Sequence, residues 1–339
     1  MSRKITLLLL ISFMALNAWA RDFPNKPVRI IVGSGADQIA RLLAERLSAT
    51  WGQPVIVENR LSAGGLVAAD SVAKSAPDGS NLLFSSSAYP LLQITKSKLP
   101  FHFFDDLTPA IVFSKSTFVV VVNKDLPVTH LQDLIQLAKT QQKNGGKQLN
   151  YASVGPGTTS NIAGEMLNQE GQISIVHVPY KSFPAALTDL ISGEVQVLIA
   201  PLSSLFPMIK DGKIKAIAVS TDRRDPYLPD LPTFAEQGYP NMTFIGWNGF
   251  HLNAKTPPEI VRKIYSDTAK VISEPDFISK AQQMGYQLMS LNPEEANEMQ
   301  LNDFKKFSVI VKKSNIITVY TICINQSKKQ APFYGCLVK

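Results

Sequence analysis

The chain has 339 residues, of which 45% are apolar, a length that suits two lobes better than one. Its formal charge of +7 gathers at the ends: Arg3 and Lys4 open the chain, seven lysines lie in 305–339, and residues 21–304 carry a net −2. With no basic stripe interleaved with aromatics in the body, a nucleic-acid partner is not expected. The two cysteines, Cys323 and Cys336, both lie in the C-terminal segment, so no disulfide framework holds the body.

At the start, Arg3 and Lys4 precede an apolar run over 5–15 and the small-residue site Ala18-Trp19-Ala20. This pattern reads as a secretory signal peptide cleaved after Ala20, and hence a periplasmic protein. The apolar run is about half of the roughly 20 residues a spanning helix needs. A β-branched run at 28–32 comes next, then a stripe of Ile39, Leu42, Leu43 and Leu47 at helical spacing, then a strand at 55–57. That order is strand, helix, parallel strand. A small-residue helix over 66–76 and a buried strand at 82–84 follow, and the all-apolar run 118–123 ends in the polar cluster before Pro127.

A second α/β series occupies strands at 149–153, 173–178, 195–200 and 216–220, with helices near 161–168 and 184–192. The Pro-rich stretch 225–240 interrupts it, 243–252 is extended, and Pro257-Pro258 begins a helix through 273. The expected division is lobe one at 21–122 plus 244–316, lobe two at 123–243, and an atypical tail at 317–339. The chain is expected to cross between lobes near Asn123 and return near Trp247, which makes a double-strand hinge.

Ligands of open α/β sheets sit beyond the carboxyl ends of strands, where glycine turns lead into helix N-termini. Three turns have that form: Gly33-Ser34-Gly35-Ala36-Asp37, Ser62-Ala63-Gly64-Gly65, and Ser153 to Ser160 with Gly155, Gly157, Thr158 and Thr159. Unpaired N–H groups and the helix dipole at such a start favour an anion. The same residues also serve ordinary turn and capping chemistry. The expected ligand set is Ser34, Gly35, Asp37, Ala63, Gly64, Gly65, Ser86, Gly155, Gly157, Thr158, Thr159, Tyr180 and Lys181. His177 either caps a turn or meets ligand, and Trp247 packs the hinge or walls the cleft. His102, His130, His177 and His251 have no metal-ligand spacing, and no nucleophile elbow, phosphate loop or dinucleotide fingerprint occurs. No metal, no cofactor and no catalysis are therefore expected.

The stretches Phe23-Pro24-Asn25-Lys26-Pro27, Val57-Glu58-Asn59-Arg60, Ala63-Gly64-Gly65, Ala76-Pro77-Asp78-Gly79, Leu149-Asn150-Tyr151-Ala152-Ser153, His177-Val178-Pro179-Tyr180-Lys181 and Leu228-Pro229-Asp230-Leu231-Pro232 appear in order over residues 22–315. In these the sequence resembles the Bug (TctC-type) receptors of tripartite tricarboxylate transporters. The resemblance implies a two-lobed type II periplasmic binding fold, the Venus flytrap. It also implies that backbone and hydroxyl donors from both lobes hold a small carboxylate: a tricarboxylate, dicarboxylate, acidic amino acid or similar acid. The partners it implies are membrane transporter subunits or, alternatively, a sensor kinase, with the receptor itself a monomer.

Three departures stand out. Val32 reaches Asp37 through only four residues, where the family has a longer loop; Ala200 stands where many relatives place an acid; and 317–339 matches nothing in the family pattern. A degenerate, non-binding copy is the alternative those departures motivate.

Overall fold

The computed structural model describes residues 23–33, 37–60, 65–95 and 98–313. The expected signal peptide and the tail at 317–339 lie outside them. In chain order the elements are β1 (Val28–Val32), α1 (Gln38–Trp51), β2 (Val55–Asn59), α2 (Leu66–Ala73), β3 (Asn81–Ser86), α3 (Ala88–Thr95), the short α4 (Phe103–Asp106), β4 (Leu107–Ser116) and β5 (Phe118–Asn123). Then come α5 (Leu131–Asn144), β6 (Asn150–Ser153), α6 (Thr159–Gly171), β7 (Val176–Pro179), α7 (Phe183–Ser192), β8 (Val197–Pro201), α8 (Leu202–Lys210) and β9 (Ile214–Val219). The chain closes with β10 (Gly246–Asn253), α9 (Pro258–Ile272), α10 (Pro275–Gln283), β11 (Gln287–Leu291) and α11 (Pro293–Lys313).

Two mixed sheets divide the molecule into two α/β lobes, ordered β11-β4-β10-β3-β1-β2 and β7-β6-β8-β5-β9. β1 pairs parallel with β2 and β3, and β6 pairs parallel with β7 and β8. The apolar stripe expected on α1 is the face that packs: Ile39, Leu42, Leu43 and Leu47 are all buried beside Val28, Ile30 and Val32. Gly52 ends α1 at φ +64, a left-handed position that suits glycine.

The lobe boundary expected near Asn123 is corrected. β5 pairs with β8 and β9 in the second sheet, and the crossing residue is Thr117. The run 118–122 is apolar throughout because it is an interior strand covered on both faces. On the return, Phe244 still packs in the second lobe's core, and β10 joins the first sheet from Gly246.

Two helices also depart from the expected division, because each is buried in both lobes. Leu92 of α3 lies in the first lobe, while Leu91 and Ile94 lie in the second. Ala296 of α11 packs in the first lobe, whereas Phe307 and Val311 pack in the second. The segment 244–316 is thus not wholly part of lobe one.

Candidate functional site

The loop from β6 to α6 is built on hydrogen bonds that its own sequence supplies. Ser153, fully buried at the end of β6, accepts the Gly155 N–H at 3.0 Å and lies 2.6 Å from His177 Nε2. Gly155 and Gly157 have φ of +121 and +78, which side chains rarely adopt. Thr158 is the N-cap of α6: its hydroxyl donates to the Gly155 carbonyl at 2.7 Å and accepts the Asn161 N–H at 3.5 Å. The Gly157 N–H is donated to Asn161 Oδ1 at 2.9 Å. After these bonds are made, the N–H groups of Thr159 and Ser160, the first two of α6, have no acceptor among the described residues.

This geometry alters the roles that the sequence suggests for two residues. The Thr158 hydroxyl is not free to donate to a ligand, because its hydrogen is committed to Gly155. Gly157 does not face ligand either: a Cβ there would fall 2.4 Å from Thr95 Cβ, so it packs against α3 instead. That contact shows that the loop lies at the face where α3 meets the second lobe.

In the first lobe, the turns after β1 and β2 converge on Tyr89 of α3. A Cβ on Gly33 would lie 2.5 Å from Tyr89 Oη and 2.7 Å from Gly65 Cα, and one on Gly65, at φ +93, 2.6 Å from the same hydroxyl. Ser34, Gly35, Ala63 and Gly64 lie outside the described residues. The Asp37 carboxylate accepts from Asn59 Nδ2 at 2.8 Å and from Arg41 Nη2 at 2.7 Å. The Asn59 amide and the Arg41 guanidinium hold it below the usual carboxylate range. It thereby ties the start of α1 to the end of β2, and its charge is already matched.

Ser86 is half-buried at the end of β3, opposite Asn248 of β10. Lys181 is exposed just beyond β7. Tyr180 does not offer its hydroxyl to a ligand: it donates to Asp189 of α7 at 2.7 Å, and burial followed by that carboxylate pushes its pKa up to about 12. Ala200 is fully buried in β8 opposite Val119, in the second lobe's apolar core.

Beside the hinge, the buried Asp225 carboxylate accepts from the crossing residue Thr117 at 2.5 Å, from Gln287 of β11 at 2.6 Å and from the Tyr227 N–H at 2.9 Å. Trp247 is buried in the first lobe, stacked near His251, and so packs the hinge. Sequence reasoning missed Asp225, Thr117 and Asn161, because each acts through partners far away in sequence or internal to a turn.

Two Ser–His pairs have the spacing of a nucleophile and its base, Ser153 with His177 and Ser85 with His251, each at 2.6 Å. In both, the serine has no exposed surface. Burial lowers the pKa of each imidazole, that of His251 to about 4. No group of potential metal ligands occurs among the described residues. The arrangement suits holding an anion, and neither serine can meet a substrate.

Residues 39–316 match the family described as the tripartite tricarboxylate transporter family receptor. The chain belongs to that family. Among curated relatives of this receptor, BugT of Bordetella pertussis is 32% identical over 249 residues, 71% of this chain and 75% of BugT. A UPF0065 protein of the same species is 34% identical over 269 residues, 78% of this chain and 82% of its own length. Among solved structures, Rhodopseudomonas palustris Rpa4515 with adipate shares 28% identity, with 87% of this chain and 99% of that one covered and a TM-score of 0.80. Periplasmic binding protein BugD shares 26% over 87% and 99%, TM-score 0.78. MatC of R. palustris with bound malate shares 26% over 85% and 100%, TM-score 0.75. The family is one of periplasmic solute-binding receptors and not of enzymes. No described helix of this receptor is long and apolar enough to cross a membrane.

Proposed function

We propose that this receptor is exported, loses residues 1–20, and captures a small dicarboxylate between its lobes as a monomer, for delivery to the membrane subunits of a tripartite transporter. The observation that carries this reading is the pair of unaccepted N–H groups of Thr159 and Ser160 at the start of a 13-residue helix. An anion seated there meets both donors and the positive end of the helix dipole. Each hydrogen bond to a charged group contributes about 1.5–3 kcal/mol, enough for the pair to set micromolar affinity once lobe contacts add to them. Adipate and malate in two related receptors support the dicarboxylate class.

A thermal-shift screen over mono-, di- and tricarboxylates, acidic amino acids and nicotinate tests the proposal. A dicarboxylate at about 100 times its Kd stabilises by about 2.7 kcal/mol. If none of these acids raises Tm, the reading is wrong and the departures in sequence mark a copy that no longer binds.

A further inference from the structure

The glycine loop at the start of α6 is shaped by a buried polar chain to which none of the expected site residues except Gly157 belongs. It begins at the Gly157 N–H, which donates to Asn161 Oδ1 at 2.9 Å. Asn161 Nδ2 donates to Tyr151 Oη at 2.7 Å, and Tyr151 Oη donates to Glu165 Oε1 at 2.6 Å. Asn161 is 3% exposed and Tyr151 1%. Asn161 and Glu165 stand four residues apart on α6 and so share the helix face that covers the Tyr151 hydroxyl.

Each link runs in one direction only. A carboxylate accepts, so the phenol oxygen that donates to Glu165 must receive its other hydrogen bond from a donor. Burial and the Glu165 charge raise the Tyr151 pKa and keep that phenol protonated. The Asn161 amide therefore turns its NH2 to Tyr151, which leaves Oδ1 aimed at Gly157. Asparagine meets both demands at once. Aspartate would face the phenol oxygen with an oxygen, and leucine would leave the buried Gly157 N–H unpaired and the phenol oxygen without its donor.

The same ring also anchors the other arm of the loop. Tyr151 stacks on His177 with centroids 5.0 Å apart and an interplanar angle of 23°, and His177 contacts Ser153, which in turn accepts the Gly155 N–H. The N–H groups of Gly155 and Gly157 are thus both drawn inward, while those of Thr159 and Ser160 are left over.

We propose that Asn161 is the positioning residue of the anion loop: oriented by Tyr151 and Glu165, it turns the Gly157 N–H away from the ligand and fixes which two amides meet the carboxylate. The ligand half of this statement rests on the carboxylate reading above; the loop half does not. Hydrogen exchange of the Gly157 amide, followed by NMR in the ligand-free protein, tests the loop half in wild type and in Asn161→Leu, Tyr151→Phe and Glu165→Gln. Tyr151→Phe removes the group that orients the amide while keeping the ring's bulk, so Gly157 exchanges about tenfold faster while Ala152 of β6 is unchanged. Asn161→Leu has a larger effect, and Glu165→Gln, whose amide oxygen still accepts, has little.

Calorimetry with malate and adipate reads the ligand half, and affinity falls in the same order. Gly157 exchange that is unchanged in Tyr151→Phe and Asn161→Leu, or that rises only in step with Ala152, overturns the positioning role. If wild type binds neither acid, the carboxylate reading fails while the exchange data still decide the role of Asn161.

Discussion

Replacing Gly157 with alanine probes the contact between the anion loop and the first lobe. The backbone there has φ +78, which for a residue with a Cβ costs about 1 kcal/mol. The new methyl would also lie 2.4 Å from Thr95 Cβ and 2.5 Å from its Oγ1, closer than Cβ atoms approach in real structures. Thr95 Cβ is fixed to the backbone of α3, so no rotamer change relieves the overlap and the helix itself must shift. Leu91 and Ile94 of that helix are buried in the second lobe's core and Leu92 in the first, so the shift disturbs packing in both. Overpacking of this kind costs about 1–3 kcal/mol, which brings the total to about 2–4 kcal/mol.

Thermal melts and urea denaturation of Gly157→Ala, Thr95→Gly and the double variant separate the two parts. The overlap appears as a favourable coupling of about 1–3 kcal/mol in the double-mutant cycle, because glycine at 95 removes the clashing Cβ. The cost of the left-handed backbone remains in the double variant. Additive effects, with no coupling, would refute the claim that Gly157 is glycine because α3 packs on it.

Three further outcomes follow from named contacts. His251 is fully buried with its pKa depressed to about 4, so the folded state keeps it neutral where the unfolded chain would protonate it. Its contribution is full above pH 6.5 and about 3 kcal/mol is lost as pH falls toward 4; His251→Gln flattens that slope in urea titrations, and an unchanged slope contradicts the assignment. Thr158→Val removes a helix cap and lowers stability by about 1 kcal/mol, whereas Thr158→Ser stays within a few tenths. Affinity for malate falls less than about tenfold in Thr158→Val, because the hydroxyl bonds the loop and not the ligand; a larger loss restores a direct contact. Burial raises the Asp303 pKa to about 6 despite the nearby Trp247 indole N–H and Lys306. Its ionisation therefore opposes folding as pH rises from 3.8 through 6, and Asp303→Asn raises the melting temperature more at about pH 7.5 than at about pH 4.

Much of the fold is legible in short runs. Val28–Val32, the α1 stripe and Val55–Asn59 form one βαβ unit because their periodicities are strong and their contacts local. β4 is far less visible: Leu107–Ser116 carries Pro109 and ends in Ser-Lys-Ser, and it becomes a strand through long-range pairing with β10 and β11. The crossing at Thr117 is hidden for a related reason. An apolar run shows that a strand is covered, but it does not say by which lobe.

The candidate site follows the same rule. Gly155, Gly157, Thr158 and Thr159 stand out as a strand-to-helix turn, and the structure places the first three on the loop from β6 and Thr159 at the first position of α6. Which of their hydrogens remain for a ligand depends on Asn161, Tyr151 and His177, whose roles arise only after β6, β7 and α6 are assembled. Tyr180 illustrates the converse, since its hydroxyl is taken by Asp189 on the helix that follows.

In the proposed capture, a carboxylate sits at the start of α6 on the backbone amides of Thr159, which is buried, and Ser160, which is half-buried. An NMR titration of the ¹⁵N-labelled protein with malate and with adipate reads those amides directly. The Thr159 and Ser160 resonances are expected to shift saturably with at least one of these acids while the Gly157 amide stays bonded to Asn161. Saturable binding that leaves Thr159 and Ser160 unmoved, or no binding of either acid, would contradict it.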